Sequence, residues 1–289
     1  MPAEAPAAAR WRQLLTARAI PPGIRAAAPD DPHRHDPARF TPPADPPDTP
    51  SRRVALDLLG AGGGTVLDVG CGAGAASLAL VPSAHHVTGA DSAADMLGAF
   101  ARACEERDVA HRTVLGPWPD TAAEAGSAEV VVCHHVGYNT ADLGPFVSAI
   151  DAAAARGVVL ELHAEHPTSW MDPLWERFHG LRRTPAATAD DALAVLVELS
   201  IRPRVQRWAK PARARGADEV ELTRRRLCLP RKRTDDVARA LDELPQGPRE
   251  FVTVSWDHSR RVAPRPLPGL SGRPARTRAD VPGTAGSPG

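Results

Sequence analysis

The sequence lacks the features that mark exported and membrane-inserted proteins. No run reaches about 18 apolar residues, the length that a membrane-spanning helix needs. The alanine- and proline-rich start has no continuous apolar stretch of the kind found in export signals. The four cysteines do not form pairs at zinc-site spacing. We therefore expect a soluble, cytoplasmic protein with reduced cysteines and no membrane partner.

The sequence also lacks net charge. It carries 35 basic and 35 acidic residues, so its formal charge is +0, which excludes whole-chain attraction to nucleic acid or anionic membranes. One stretch departs from this balance, because twelve basic residues stand against three acidic ones between Arg202 and Arg233. Such a stretch could bind RNA phosphates. It lacks interleaved aromatic residues apart from Trp208, so we interpret it as a solvated face balanced by acids elsewhere in the fold.

Hydrophobic residues make up 43% of the 289 residues, which is enough for one large domain with a buried core. Residues 1–50 hold a short helical pattern and then a proline-rich run, which predicts an arm lying over the core or partly mobile. Residues 264–289 have little apolar content and are predicted to be a disordered tail. The predicted domain therefore spans 51–263.

Within this domain, apolar strand patterns alternate with amphipathic helix patterns. The alternation predicts an α/β fold with a doubly wound, mostly parallel sheet, and its last helix–strand pair allows an antiparallel edge. Two consecutive helices after the fifth strand predict a helical insert over 164–215, on the substrate side. Helices are predicted over 8–19, 52–59 (capped by Ser51), 74–80, 93–105, 143–150, 168–179, 188–199 and 234–244. Strands are predicted over 65–69, 86–90, 111–115, 129–133, 157–162, 220–229 and 251–256.

A glycine-rich turn joins the first predicted strand to the next predicted helix. Its sequence is Asp68-Val69-Gly70-Cys71-Gly72-Ala73-Gly74. Glycine permits a sharp turn and a close approach of the backbone to a ligand, and the N–H groups at the following helix start would face that ligand. Alone, this glycine pattern also fits ordinary turns and nicotinamide sites.

Two carboxylates change that interpretation. Asp68 precedes the first glycine by two residues, where a pyrophosphate would be repelled and a cationic amino group attracted. Asp91 ends the next predicted strand, where a carboxylate can bind both ribose hydroxyls of an adenosyl group. Together they favour a ligand with a ribose and a positive charge.

On these residues, from 65 to 74 and at Asp91, the sequence resembles the class I methyltransferases that use S-adenosylmethionine (SAM), over roughly 51–258. The resemblance implies a seven-stranded sheet with an antiparallel last strand and SAM as cofactor. It implies that the glycine loop wraps the methionine part, that Asp91 binds the ribose, and that the methyl-donor sulfur lies beside the end of the fourth strand. The residues implied to contact the cofactor are Asp68, Gly70, Cys71, Gly72, Gly74, Asp91, Ser92, Met96, Trp118 and His134.

Candidate catalytic residues follow the fourth and fifth predicted strands. Methyl transfer mainly requires alignment of a nucleophile, and a base helps when the nucleophile carries a proton. His135 is the candidate base, although it and His134 could equally fill the strand end with satisfied hydrogen bonds. The dense segment from Glu161 to His166 indicates acid–histidine pairing or substrate contact more than a metal site, so we expect no metal.

The helical insert carries Trp170, Trp175 and Phe178. We interpret Trp175 and Phe178 as packing residues, and Trp170 as either packing or a lid over the substrate.

These observations favour a SAM-dependent methyltransferase that acts on an oxygen or nitrogen atom of a small molecule. One alternative is an RNA or protein methyltransferase that uses the basic stretch 202–233. Another is a SAM-binding regulatory protein without catalysis, because binding does not require turnover. A nicotinamide oxidoreductase is the remaining reading of the glycine turn, and Asp68 argues against it.

Overall fold

The computed structural model describes residues 6–34, 36–212 and 216–258. None of the helices in these ranges is both long enough and apolar enough to span a bilayer. The strands are β1 Gly64–Val69, β2 Ala84–Asp91, β3 Ala110–Leu115, β4 Ala128–His134, β5 Ala154–His163, β6 Arg204–Lys210 and β7 Arg249–Asp257. The helices are α1 Ala7–Ala17, α2 Pro22–Ala26, α3 Pro50–Leu59, α4 Ala94–Glu105, α5 Ala122–Ala125, α6 Leu143–Ala153, α7 Asp172–His179, α8 Ala189–Glu198, α9 Ala217–Arg226 and α10 Thr234–Asp242.

All seven strands form one sheet in the order β3-β2-β1-β4-β5-β7-β6. Strands β1 to β5 run parallel to one another, whereas β7 is antiparallel to both β5 and β6. The predicted seven-stranded sheet with an antiparallel last strand is therefore confirmed. The strand order reverses between β1 and β4, and in doubly wound sheets the ligand cleft opens beside the carboxyl ends of the strands at such a point.

The central strands are buried on both faces, which explains their continuous apolar runs. Val66 on β1 and Val130 on β4 face a core built with α3 and α4. Leu67 and Val131, one residue further on, face the opposite core, built with α1, α6 and α8. Helices therefore cover both faces of the sheet and leave its edge at the strand ends open for a site.

The strand predicted over 220–229 is wrong, because this segment contains α9. The buried residues of α9 are Thr223 and Arg224, and Leu227, directly after the helix, is also buried. A spacing of three and four residues belongs to a helix. Asp218 and Glu219 lie in the first turn, where the helix dipole favours negative charge. The sixth strand is instead β6, an edge strand with mostly exposed residues, so it carries no apolar pattern that sequence could reveal.

The helix predicted over 74–80 is also wrong. This segment forms turns and a short 3-10 helix, Leu78–Leu80. Gly74 has a φ of +90°, outside the helical region, and Pro82 follows closely. So short a segment gains too few of its own hydrogen bonds to form an α-helix. The glycine loop is therefore not followed by a helix N-terminus.

The N-terminal segment packs on the domain through α1. The Trp11 side chain is fully buried, and its Nε1 donates a hydrogen bond to the carbonyl of Thr140 at 2.9 Å. Arg18 is paired with Asp172 at the start of α7. The predicted cap of α3 at Ser51 is wrong, because Thr49 caps that helix. The tail predicted over 264–289, with the domain boundary at 263, lies outside the described residues.

Candidate active site

The glycine loop leaves the carboxyl end of β1 at the centre of the sheet. Gly70 and Gly74 have φ angles of +69° and +90°, which side chains other than glycine rarely adopt. A Cβ atom on Gly70 would lie 2.4 Å from Val136, and one on Gly74 would lie 2.9 Å from Phe100. The loop is therefore compact, and it places its backbone directly on the wall of the adjoining cavity.

Asp91 lies at the end of β2 beside this loop. Its Oδ2 accepts a hydrogen bond from the Gly72 N–H, and its Oδ1 accepts one from the Ala93 N–H, both at 2.9 Å. These two bonds fix the carboxylate at the cavity wall in one orientation. Each oxygen retains a second lone pair, so the carboxylate can still accept hydrogen bonds from a pair of hydroxyl groups.

Asp68 is the buried acid of the site, with only 1% of its surface exposed. Its Oδ2 accepts a hydrogen bond from the Ser77 hydroxyl at 2.6 Å. Burial raises the pKa of Asp68 to about 6, and the Ser77 hydrogen bonds only partly oppose this rise. Within the described residues no basic side chain pairs with Asp68. The site therefore contains a buried carboxyl group whose ionisation a bound cation would favour.

One cavity of about 810 Å³ runs from the glycine loop across the ends of β2, β4 and β5. This volume lies in the upper part of the range of small-molecule sites, roughly 300–1,000 Å³. Residues of the N-terminal segment close one side of it: His33, Arg34, Phe40, Pro43, Pro47 and Thr49. The far end is formed by His134, His135, Glu161 and Lys210.

At this far end, the ring of His135 is hydrogen-bonded to Glu161. The His135 Nε2 lies 3.0 Å from the Glu161 Oε1, and the His135 backbone N–H donates to the Glu161 carbonyl at 2.8 Å. Burial would raise the pKa of Glu161, but the hydrogen bond from His135, the nearby histidines and Ser51 lower it to about 2. Glu161 is therefore ionised and can only accept hydrogen bonds, so Nε2 of His135 carries a proton.

A chain of hydrogen bonds lies behind Glu161. Trp208 Nε1 donates to the Thr253 Oγ1 at 3.0 Å, and that hydroxyl lies 2.7 Å from the Ser51 Oγ. Because ionised Glu161 accepts from Ser51, the Thr253 hydroxyl donates to Ser51. This chain of bonds fixes the Glu161 carboxylate, which in turn fixes the ring of His135. Nδ1 of the neutral His135 ring is then the nitrogen with a free lone pair.

The ring of His134 is more buried than that of His135. Burial lowers the pKa of His134 to about 4, so its ring is neutral at physiological pH. Its Nε2 is buried and has no hydrogen-bond partner within the described residues. His134 lines the cavity, and a bound ligand can supply the missing partner.

Comparison of the sequence with known proteins finds a similar family. Residues 66–157 match the sequence model of a family described as a methyltransferase domain. This region is therefore similar to the methyltransferase domain of that family. SAM is the cofactor of that family. No curated protein matches the chain significantly.

The solved structures that are similar to this chain are distant from it in sequence. The YcgJ protein from Bacillus subtilis has a TM-score of 0.51 and 16% identity, covering 72% of this chain and 97% of that one. Precorrin 8w decarboxylase from Methanobacterium thermoautotrophicum has a TM-score of 0.46 and 14% identity, covering 78% and 97%. Magnesium protoporphyrin IX methyltransferase from Synechocystis PCC 6803, with bound SAM, has a TM-score of 0.40 and 15% identity, covering 71% and 77%.

The residues of the methyltransferase domain fit SAM at one end of the cavity. The glycine loop offers its backbone, Asp91 offers an oriented carboxylate, and Asp68 offers a buried carboxyl group that lacks a cation. SAM has a ribose and a positive charge, which match these last two groups. All but one of the residues predicted to contact the cofactor line this cavity: Asp68, Gly70, Cys71, Gly72, Asp91, Ser92, Met96, Trp118 and His134. The exception is Gly74, which shapes the turn.

Trp118 has two roles in this wall. Its Nε1 donates to the Phe146 carbonyl at 3.1 Å, and its ring packs against the core while also lining the cavity. The same ring can therefore pack against the core and contact a bound ligand.

The predicted insert contributes less to the cavity than expected. Of residues 164–212, only Lys210 lines it. Trp175 is buried and Phe178 packs beside it, as predicted, while Trp170 is 38% exposed. Sequence reasoning missed Lys210 and Ser51, because both become part of the site only through contacts with β7.

Proposed function

We propose that this protein is a SAM-dependent methyltransferase that transfers a methyl group to an oxygen or nitrogen atom of a small molecule. One observation carries the proposal. A single cavity joins the glycine loop and Asp91 at one end to His135 and Glu161 at the other. The cofactor end and the proton-accepting end therefore belong to one continuous cavity, as a displacement between two bound molecules requires.

At the cofactor end, the residues bind and orient. Asp91 would accept hydrogen bonds from the ribose hydroxyls, Met96 and Trp118 would pack against the adenine, and Asp68 would attract the positive amino group. When bound, SAM supplies a methyl group on a positively charged sulfur, which is already activated for displacement. The chain therefore has to align the acceptor and exclude water rather than activate the donor.

At the acceptor end, His135 would act as the base. Its Nε2–H is bonded to Glu161, so Nδ1 would take the proton from the attacking hydroxyl or amine. Glu161 would stabilise the positive charge that His135 then carries. Glu161 would be a positioning residue, acting through its contact with His135.

The shape of the cavity supports a small acceptor over a polymer. Phe40, Pro43 and Pro47 from the N-terminal segment form part of its wall. Prolines hold that wall in an extended, stiff conformation. A long RNA or protein strand needs an open groove, which this covering obstructs.

The four cysteines are buried free thiols, which supports the proposed cytoplasmic location.

Two measurements test the proposal. Isothermal titration should show binding of SAM and of its demethylated product, with at least about tenfold weaker binding for Asp91→Ala and unchanged binding for Asp57→Asn, which changes an exposed acid of α3 outside the cavity. Transfer of radioactive methyl from SAM to a panel of small hydroxy and amino compounds should then reveal acceptors. Absence of binding to both cofactor forms would overturn the proposal. Binding without transfer would favour a regulatory SAM-binding protein.

A further inference from the structure

The chain uses lysine very sparingly. Of its 35 lysine and arginine residues only two are lysines, Lys210 and Lys232. Lys232 is exposed in a short turn before α10, whereas Lys210 ends β6 and lines the cavity. Arginine and lysine are not interchangeable, because the ammonium group is a compact point charge and the guanidinium group a planar fork. A lysine at the cavity wall of an arginine-rich chain therefore indicates a role for a compact charge.

The ammonium group of Lys210 sits on an aromatic platform. Its Nζ lies 5.0 Å from the centre of the Trp208 ring and 4.8 Å from the centre of the Phe251 ring. The Phe251 ring in turn lies 5.6 Å from the ring of His135. Lys210 and the proposed base therefore share one wall of the cavity, with a single aromatic ring between them. A small molecule held at His135 is within reach of Lys210.

The positive charge of Lys210 has no carboxylate partner. Four acidic residues line the cavity, and three of them, Asp68, Asp91 and Asp95, lie at the cofactor end. The fourth, Glu161, is bonded to His135. Across the described residues, Nζ of Lys210 makes neither an ion pair nor a hydrogen bond. The two aromatic rings attract the cation, but they leave its N–H donors unpaired.

His134 and His163, which lie near Lys210, add no competing positive charge. Burial lowers the pKa of His134 to about 4 and that of His163 to about 3, with the charges of neighbouring basic groups acting in the same direction. Both rings are therefore neutral at physiological pH. Lys210 is a permanent cation at the acceptor end, and two arginines, Arg34 and Arg52, also line the cavity.

We propose that Lys210 binds an anionic group of the methyl acceptor, a carboxylate or a phosphate, and so selects acidic small molecules. This inference rests on the proposed function, because it concerns the acceptor of the same site. A point charge recognises the negative charge itself more than its shape. The anion of the acceptor would lie on Lys210 while its hydroxyl or amine faces His135.

The two lysines allow a direct test by nuclear magnetic resonance. Protein labelled with 13C-lysine gives only two sets of side-chain signals, and the exposed Lys232 serves as an internal control. The protein is first saturated with the demethylated cofactor product, and 4-fluorobenzoate, inorganic phosphate or neutral 4-fluorobenzamide is then added. We expect saturable shifts of the Lys210 signals with either anion, no such shifts with the amide, and no saturable shift at Lys232.

Variants supply an independent readout through the 19F signal of 4-fluorobenzoate. Lys210→Met keeps the length of the side chain and removes its charge, and we expect it to weaken binding at least tenfold. Lys232→Met is the matched control and should bind as the wild type does. Equal responses of both lysines, equal binding of benzoate and benzamide, or unchanged binding by Lys210→Met would each overturn the inference. These results are distinct from failure of the proposed function, which the cofactor titration detects beforehand.

Discussion

A buried carboxyl group next to a ligand cavity has consequences for stability as well as for binding. Burial raises the pKa of Asp68 from 3.8 to about 6. The unfolded chain therefore loses this proton at lower pH than the native protein does. The contribution of Asp68 to native stability falls as pH rises from about 4 to 6, and the full cost is present above pH 6. A difference of two pKa units corresponds to about 3 kcal/mol.

Replacement of Asp68 by asparagine removes this cost. In the absence of cofactor, we expect Asp68→Asn to be more stable than the wild type by about 3 kcal/mol at pH 8 and by nearly nothing at pH 4. Urea unfolding at both pH values measures the difference. Asp95→Asn, which changes an exposed acid at the rim of the cavity, is the control. An equal effect of Asp68→Asn at the two pH values would contradict the burial of an ionised carboxylate.

The pair of His135 and Glu161 permits a second prediction at the residue scale. His135→Ala should lower kcat by about 10²–10⁴, the usual contribution of a general base. Glu161→Gln keeps a hydrogen-bond acceptor but loses the charge, so its kcat should fall between that variant and the wild type. Glu161→Asp retains the charge and should be the most active of the three. Steady-state kinetics with saturating cofactor measures kcat.

Cofactor affinity distinguishes this role from misfolding. Neither His135 nor Glu161 lies at the cofactor end, so SAM titrations of all three variants should match the wild type within about twofold. A variant that loses both kcat and SAM binding would indicate a structural role instead.

Sequence predicted the cofactor end of the site better than the acceptor end, for a physical reason. Asp68 and the glycines lie in one short segment, and Asp91 follows at a fixed place in the next strand, so their roles can be read from local spacing. The contact between His135 and Glu161 depends on β4 lying beside β5. The contact of Lys210 with Phe251 depends on β6 pairing with β7, which no local pattern reveals.

At the scale of elements, the strand prediction worked where strands are buried. Strands β1, β4 and β5 have apolar runs because helices cover both faces. Strand β6 is an exposed edge, so backbone pairing with β7 defines it more than its side chains do. Helix α9 was mistaken for a strand because its apolar residues are few and arginines fill the remaining positions.

The first helix permits a prediction about the N-terminal segment. Trp11 is fully buried and bonded to the Thr140 carbonyl, so Trp11→Ala should lower the free energy of unfolding by about 3–5 kcal/mol. Trp170→Ala, at a 38% exposed position, is the control and should change it by less than about 1 kcal/mol. Chemical denaturation measures both.

Limited trypsin digestion shows which part of the molecule becomes accessible to cleavage when Trp11 is replaced by alanine. Loss of Trp11 should expose the arginines of α1, including Arg10 and Arg12, to early cleavage. Early cleavage elsewhere, with α1 protected, would contradict the view that Trp11 anchors this segment to the domain.

At the scale of the whole molecule, part of the basic stretch is paired with acidic residues. Arg224 has a fully buried side chain that pairs with Asp30 and Glu221, and Arg207 pairs with Asp190. That acids elsewhere in the fold balance the whole stretch stays a prediction. We expect no binding of a fluorescent 20-nucleotide RNA below about 10 µM protein at 50 mM salt, measured by anisotropy. Tight, strongly salt-dependent binding would revive the RNA alternative.

Cofactor binding should stabilise the whole described domain. At a SAM concentration of about 100 times the Kd, linkage predicts about 2.7 kcal/mol. For a chain of this size that corresponds to a rise in Tm of roughly 5–10 °C. Differential scanning calorimetry measures the rise, and Asp91→Ala should show less of it at the same SAM concentration. An equal rise in the variant would place the cofactor away from Asp91.

The strand order also has a consequence for synthesis of the chain on the ribosome. The first five strands emerge in an order that lets each pair with an earlier one. Strand β6 emerges without a partner, because β7, its only neighbour in the described sheet, is translated after it. Strand β6 can therefore join the sheet only after β7 has been made, whereas β1 to β5 and the glycine loop can come together earlier. The cavity wall that carries Lys210 would then form after the wall that carries Asp91.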